Sequence, residues 1–136
     1  MDVLKKNNDL GLLIIRLSIG GLMLLHGIFK IGHGVGFIEQ MIVDMGLPSF
    51  FAYGVYIGEV VASILIILGY ATRIAAVVFA INCLVAALMV NPGGFLELDD
   101  VGAWGKELLG LYFFGALALI FTGGGKYALS NKHIWD

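Results

Sequence analysis

The chain has 136 residues, of which 60% are hydrophobic and 13% charged, with a formal net charge of −2. Soluble domains run about 45–50% apolar and about 25% charged, so so little charge cannot coat a water-soluble globule of this size, and lipid is the expected solvent for much of the exterior. The slight acidity excludes an electrostatic footprint for nucleic acid, and the single cysteine, Cys83, excludes an intrachain disulfide, a Cys-x-x-Cys redox pair and a four-thiolate metal site.

The first long apolar run covers roughly residues 10–29 and is interrupted by Arg16 and His26. A secretory signal peptide is its rival reading, with Lys5 and Lys6 as the basic region, but the run is too long and no Ala-x-Ala-like site follows it, so it reads as a retained span. Residues 36–45 then place Phe37, Ile38, Met41, Ile42 and Met45 at helical spacing, with Glu39, Gln40 and Asp44 opposite. This segment is expected either to lie in the membrane interface or to pack on the bundle as an ordinary loop helix. The second run covers roughly 50–68 with Glu59 inside it, and its Gly54-x-x-x-Gly58, extended by Ala62, reads as a helix-packing ridge. A tight turn follows, in which Gly69 is placed as a helix C-cap and Thr72 as an N-cap. The third run covers roughly 74–90 with Asn82 inside it and stops at Asn91-Pro92-Gly93-Gly94. The fourth covers roughly 104–121, with Lys106 and Glu107 in its first turn, and ends at Gly123-Gly124-Gly125.

Each run is close to the length that crosses a hydrocarbon core about 30 Å thick. Only helices and closed barrels satisfy backbone polar groups in lipid, and no run alternates with the period of two that a barrel strand needs. Twenty glycines against two prolines suit closely approaching membrane helices. The expected fold is therefore all-α: an integral membrane four-helix bundle in one domain over residues 1–136, with a short interfacial helix between spans one and two.

Basic residues set the orientation. Lys5, Lys6, Arg73, Lys126 and Lys132 fall on one side, whereas the opposite loops carry Glu39, Asp44, Glu97, Asp99 and Asp100. The positive-inside rule places both termini in the cytoplasm, with the chain multi-pass. Tyr127 and Trp135 are candidate anchors at that interface, Tyr53 and Trp104 at the other.

Six polar residues within or at the margins of the runs are the candidate site: Arg16, His26, Lys30, Glu59, Asn82 and Glu107. A charge at the bilayer centre costs about 2.5–3.5 kcal/mol on insertion scales, so such groups are expected to face the bundle interior and pair. At about 1.5 Å rise per residue, Arg16 lies about 9 Å in from one end of its run and Glu59 about 13–14 Å in from the other. Glu59 and Asn82 form a middle layer, with His26 and Glu107 above it. Glu59 is expected to bridge toward Arg16 and His26, and Lys30 to reach Glu107, unless Arg16 and Lys30 merely snorkel to the interfaces. Asn82 reads as interhelical glue or a site residue. No zinc spacing, Walker motif, dinucleotide fingerprint or nucleophile elbow is present, so no metal and no intrinsic cofactor is expected.

Ile15-Arg16-Leu17, His26-Gly27-Ile28-Phe29-Lys30, Gly58-Glu59, Leu68-Gly69-Tyr70-Ala71-Thr72-Arg73, Glu107-Leu108-Leu109 and Thr122-Gly123-Gly124-Gly125-Lys126-Tyr127 follow one another in an order and spacing that resembles the DoxX family of small four-span membrane proteins. The family often has Gly-Pro-Gly-Arg near the end, where this chain has Gly-Gly-Gly-Lys. Some relatives are subunits of thiosulfate:quinone oxidoreductase and others belong to oxidative-stress membrane complexes. The resemblance implies a location in the cytoplasmic (inner) membrane of a bacterial or archaeal cell, and a membrane subunit of a quinone-linked oxidoreductase system, with quinone contacts at His26 or Glu59 and a soluble or membrane redox partner subunit. Two alternatives remain beside it: a non-catalytic anchor or assembly protein for a soluble partner, and a transporter of protons or small solutes. A homo-oligomer fits any of them.

Overall fold

Asn7 accepts a hydrogen bond from the Leu10 N–H at 3.0 Å and so caps α1, which runs Asn8–His33. The structure, a computed structural model, describes residues 6–136, so Lys5 of the orientation argument lies outside the described residues. At 26 residues α1 extends a turn beyond its apolar run and is about 39 Å long. Helix α2 (Gly36–Asp44) follows at once and turns Ile42 inward, leaving Gln40 and Asp44 to bond each other at 2.8 Å on the outside.

Helix α3 (Ser49–Leu68) is continuous but not uniform. It opens with a 3₁₀ turn over Ser49–Tyr53 after Pro48, and it widens into a π turn over Ile57–Val61, where the Ala62 N–H bonds the Ile57 carbonyl. It ends at Gly69, whose φ of 73° only glycine adopts readily. Helix α4 (Thr72–Met89) starts differently from the sequence reading: Thr72 is its first helical residue rather than its N-cap, and its buried Oγ1 has no partner among the described residues. A group distant in sequence takes the capping role, since the Ala71 N–H donates to the Asp136 carboxylate at 3.3 Å. Acid at a helix N-terminus is favourable. Helix α5 (Glu107–Thr122) begins three residues later than its apolar run, because Leu98 and Trp104 pair in an isolated antiparallel bridge and Trp104 Nε1 donates to the Phe95 carbonyl at 2.6 Å.

The long helices form a ring in which α1 packs on α3, α3 on α4, α4 on α5, and α5 closes on α1. Small residues of α4 (Ala75, Ala76, Ala80 and Cys83) let it approach Ala62, Ile66, Ala116 and Leu119 around Phe79. A smaller, separate core joins Val35 and Ile42 beneath α2 to Ala52 of α3. Leu, Ile and Phe cover the outward faces of all four long helices. Apolar exposure on that scale marks a lipid-facing surface. Three helices, α1, α3 and α4, are long and apolar enough to cross a membrane, while α5 is apolar but has 16 residues.

Approach is close where α1 meets α3. A Cβ added at Gly27 would lie 3.0 Å from the Glu59 carbonyl oxygen and 2.6 Å from Val60 Cγ2. Gly27→Leu is expected to wedge the two helices apart and cost about 1–3 kcal/mol, seen as a lower midpoint of unfolding in mixed micelles. An unchanged midpoint would mean that α1 and α3 do not meet there.

Residues 123–136 fold back over the end of the bundle that holds the α3–α4 turn. The Arg73 N–H donates to the Trp135 carbonyl at 3.0 Å, and the Asp136 carboxylate accepts from Ser130 Oγ at 2.6 Å, Lys132 N–H at 2.8 Å and His133 N–H at 2.9 Å. The Ser130 hydroxyl foremost, with the backbone N–H groups, holds the Asp136 carboxyl below its ordinary value of 3.8. A depressed carboxyl contributes its stabilisation fully above the unfolded value and loses it as pH falls through the folded one. In a Trp104→Phe background, Trp135 emission is therefore expected to hold constant from neutral pH down past the ordinary aspartate range and to change only below it. A transition at higher pH would sink this account.

Candidate functional site

Glu59 lies on the π turn of α3 and is buried. Its partner is Lys30, with Nζ 2.5 Å from Oε1. Neither residue expected to meet Glu59 does so. The rule that helical side chains lean toward their own N-terminus explains the outcome. Lys30, in the last turn of α1, leans into the bundle, and Glu59 on antiparallel α3 leans toward it. Lys30 neither snorkels outward nor reaches Glu107, and Tyr56 steadies it by donating to its carbonyl at 3.1 Å. Oε2 of Glu59 is buried with no hydrogen-bond partner among the described residues.

Arg16 has a different task. It is 1% exposed, and its guanidinium donates to the carbonyls of Ile66 at 2.9 Å, Ile67 at 2.8 Å and Gly124 at 2.9 Å. Two of these belong to the last turn of α3, which carries the negative end of the helix dipole; Ile66 also accepts from the Gly69 N–H at 3.2 Å, while Ile67 has no other donor among the described residues. Arg16 therefore ties α1 to the end of α3 and to the returning tail.

The other candidates are dispersed. Asn82 of α4 lies with its side chain directly against Gly58, so that glycine is part of a packing contact, whereas nothing approaches Gly54. The π turn between them breaks the ridge expected over Gly54, Gly58 and Ala62. His26 is exposed on α1 and meets Tyr112 of α5 edge to face, with ring centroids 6.3 Å apart. It borders a shallow groove with Leu22, Leu25, Phe29, Lys30 and Tyr112; Lys30 also lines the cavity beside Glu59, and His26 does not. Glu107 is exposed at the start of α5 and joins no intramembrane layer. Lys106, beside it, is buried and donates to the Val90 carbonyl at the end of α4.

Lys30, Glu59 and Asn82 converge on one wall of a cavity of about 170 Å³. The rest of the lining is apolar: Phe37, Ile38, Met41 and Ile42 of α2, Phe51, Ala52 and Val55 of α3, Val85, Ala86 and Met89 of α4, and Val90 just past its end. An apolar pocket with a few convergent polar groups is the usual form of a small-molecule site. The contribution of α2 escaped the sequence reading, although the apolar stripe from Phe37 to Ile42 was its signal; α2 roofs the cavity as part of the bundle. Among the described residues, no three His, Cys, Asp or Glu side chains gather to hold a metal ion.

The sequence model of the DoxX family matches residues 11–92. The chain belongs to the DoxX family. The match takes in Arg16, Lys30, Glu59 and Asn82, and so covers the polar wall of the cavity and the Arg16 tie but not α5. Among relatives, this DoxX protein is 34% identical over 88 residues, 65% of its own length, to a Bacillus subtilis protein named "Putative oxidoreductase CatD"; it spans 65% of that protein's length. It is 33% identical to an "Uncharacterized protein" of Haemophilus influenzae over 97% of both chains. It is also 33% identical to "Uncharacterized membrane protein Rv3486" of Mycobacterium tuberculosis, over 87% of this chain and 78% of that one. No solved structure matches. Family and composition together make the chain a membrane protein in contact with the lipid bilayer.

Proposed function

We propose that this DoxX protein is the membrane subunit of a quinone-linked oxidoreductase system, and that the cavity beneath α2 receives the ring of a lipid-soluble quinone. One observation carries the reading: a half-buried lysine paired with a buried glutamate, together with an asparagine, supplies the polar lining of an otherwise apolar cavity within a lipid-embedded bundle. A dry apolar cavity of about 150 Å³ takes benzene, so a single ring fits the space, and its oxygens meet donors on Lys30 and Asn82. Lys30, Glu59 and Asn82 replace His26 in the contact set, and Glu59 is kept from the earlier pair. A bound quinone supplies reversible two-electron, two-proton chemistry; the chain's own residues hold the ring, keep water away and place a carboxylate beside its oxygen. The word "oxidoreductase" in the name of the Bacillus relative is in keeping with this.

In the same reading α5 makes a fourth crossing beside the three longer helices, with both termini on the cytoplasmic side of the inner membrane, where Lys6, Arg73, Lys126 and Lys132 gather. A soluble or membrane partner subunit supplies the electrons. The test is titration of the purified protein in nanodiscs with a short-tailed benzoquinone. Saturable binding is expected, weakened about tenfold or more when the charged wall is removed in the double variant Lys30→Met, Glu59→Leu; no binding, or equal binding by the double variant, would count against the proposal.

A second reading, a non-catalytic anchor for a soluble partner, draws on Arg16, whose three bonds all go to backbone and serve only to fix helix register. Retention of a co-purifying partner by Glu59→Gln, together with absent quinone binding, would favour it.

A further inference from the structure

Resting on the cavity as a quinone-ring site, we infer that it holds the reduced, hydroxyl-bearing ring in preference to the oxidised, carbonyl-bearing one. Glu59 is the anionic half of an ion pair and can only accept hydrogen bonds. Oε1 has its donor in Lys30, but Oε2 is buried and has none among the described residues. A charged acceptor left without a donor is among the most costly polar atoms to bury. The terminal torsion of a glutamate is broad and nearly two-fold, so a rotation of the carboxylate presents that oxygen to the cavity Glu59 borders.

The two redox forms of a ring meet this wall differently. A quinone carbonyl carries lone pairs only and faces the carboxylate as one acceptor against another. A quinol hydroxyl donates to Glu59 and still accepts, either from Lys30, whose ammonium has three donors with one spent, or from Asn82, whose amide makes no hydrogen bond with the described residues. Only the reduced ring satisfies all three groups. By linkage, tighter binding of the reduced form makes the bound couple easier to reduce than the free one.

The experiment compares one short-tailed benzoquinone in its two states, oxidised and held reduced with excess dithionite, on the full chain in nanodiscs. The quinol is expected to bind about tenfold more tightly or better, equivalent to an upward shift of about 30 mV in the potential of the bound two-electron couple. In Glu59→Gln, whose amide can donate to a carbonyl, the preference is expected to shrink to about twofold or less. Equal or tighter binding of the quinone would overturn the inference while leaving the cavity as a quinone site. Binding of neither form would overturn that site and the inference with it. The potential of the bound couple is read on the unaltered protein, so the result stands even if the variant fails to fold.

Discussion

Glu59→Ala is expected to lower stability by about 3–5 kcal/mol, because it leaves the Lys30 ammonium turned into the bundle with no anion beside it. Lys30 is 17% exposed at its side chain and Glu59 6%, so little solvent remains to take up the charge. The double variant Lys30→Met, Glu59→Leu removes both charges at similar volume and is expected to recover most of the loss, since a buried pair replaced by apolar groups is often neutral or better. Unfolding midpoints of Lys30→Met, of Glu59→Leu and of the double variant in mixed micelles measure this directly. Additive losses in the double variant would show that the two side chains do not interact in the folded protein. Ligand binding separates stability from function here: the double variant is expected to fold yet bind no quinone ring.

Arg16→Met is expected to be at least as damaging. Three carbonyls lose the guanidinium at once, two at the end of α3 and one in the tail; Ile66 keeps a bond from the Gly69 N–H at 3.2 Å, but Ile67 and Gly124 are left without a donor among the described residues, and each such orphan costs about 1–3 kcal/mol. Arg16→Lys keeps the charge but not the planar fork that spans three acceptors, so it should rescue only part of the loss. Amide hydrogen exchange adds a spatial readout. Residues 123–136 are expected to lose protection in Arg16→Met while α4 and α5 keep theirs. Uniform loss across the chain would instead mean global unfolding, and no change would mean that the guanidinium is not what fastens the tail.

These expectations also mark how far the amino-acid sequence reaches. Apolar runs, the Gly69 C-cap and the breaks at Asn91-Pro92 and Gly123 are local signals of hydrophobicity and backbone freedom, and the helices follow them closely. That Glu59 is deep and in need of a partner was likewise legible, because burial of charge is costly wherever the chain goes. Its partner was not legible. Proximity in depth favoured Arg16, but three carbonyls claim that guanidinium, and backbone acceptors leave no mark on a sequence. The π turn at Ile57–Val61 was equally hidden: no proline announces it, and it shifts the face on which Gly54 would have packed. Thr72 failed as a cap because a carboxylate 64 residues further along in the chain, Asp136, reached the start of α4 first. Tertiary contacts decided each of these cases, and none is encoded within a single turn of helix.

The π turn has one more consequence, for how this protein can change length. A π turn holds one residue more than the α-helix it interrupts. Deleting one residue between Ile57 and Val61 other than Glu59 would let α3 relax to ordinary winding with the helix on either side still facing as before. The same deletion in the regular part of α3, between Ala62 and Leu68, would swing one side of the cut by about 100° relative to the other and turn Ile66 away from α1. Along α3 the π turn is thus the one stretch where the chain can lose a position without losing the facing of its helices.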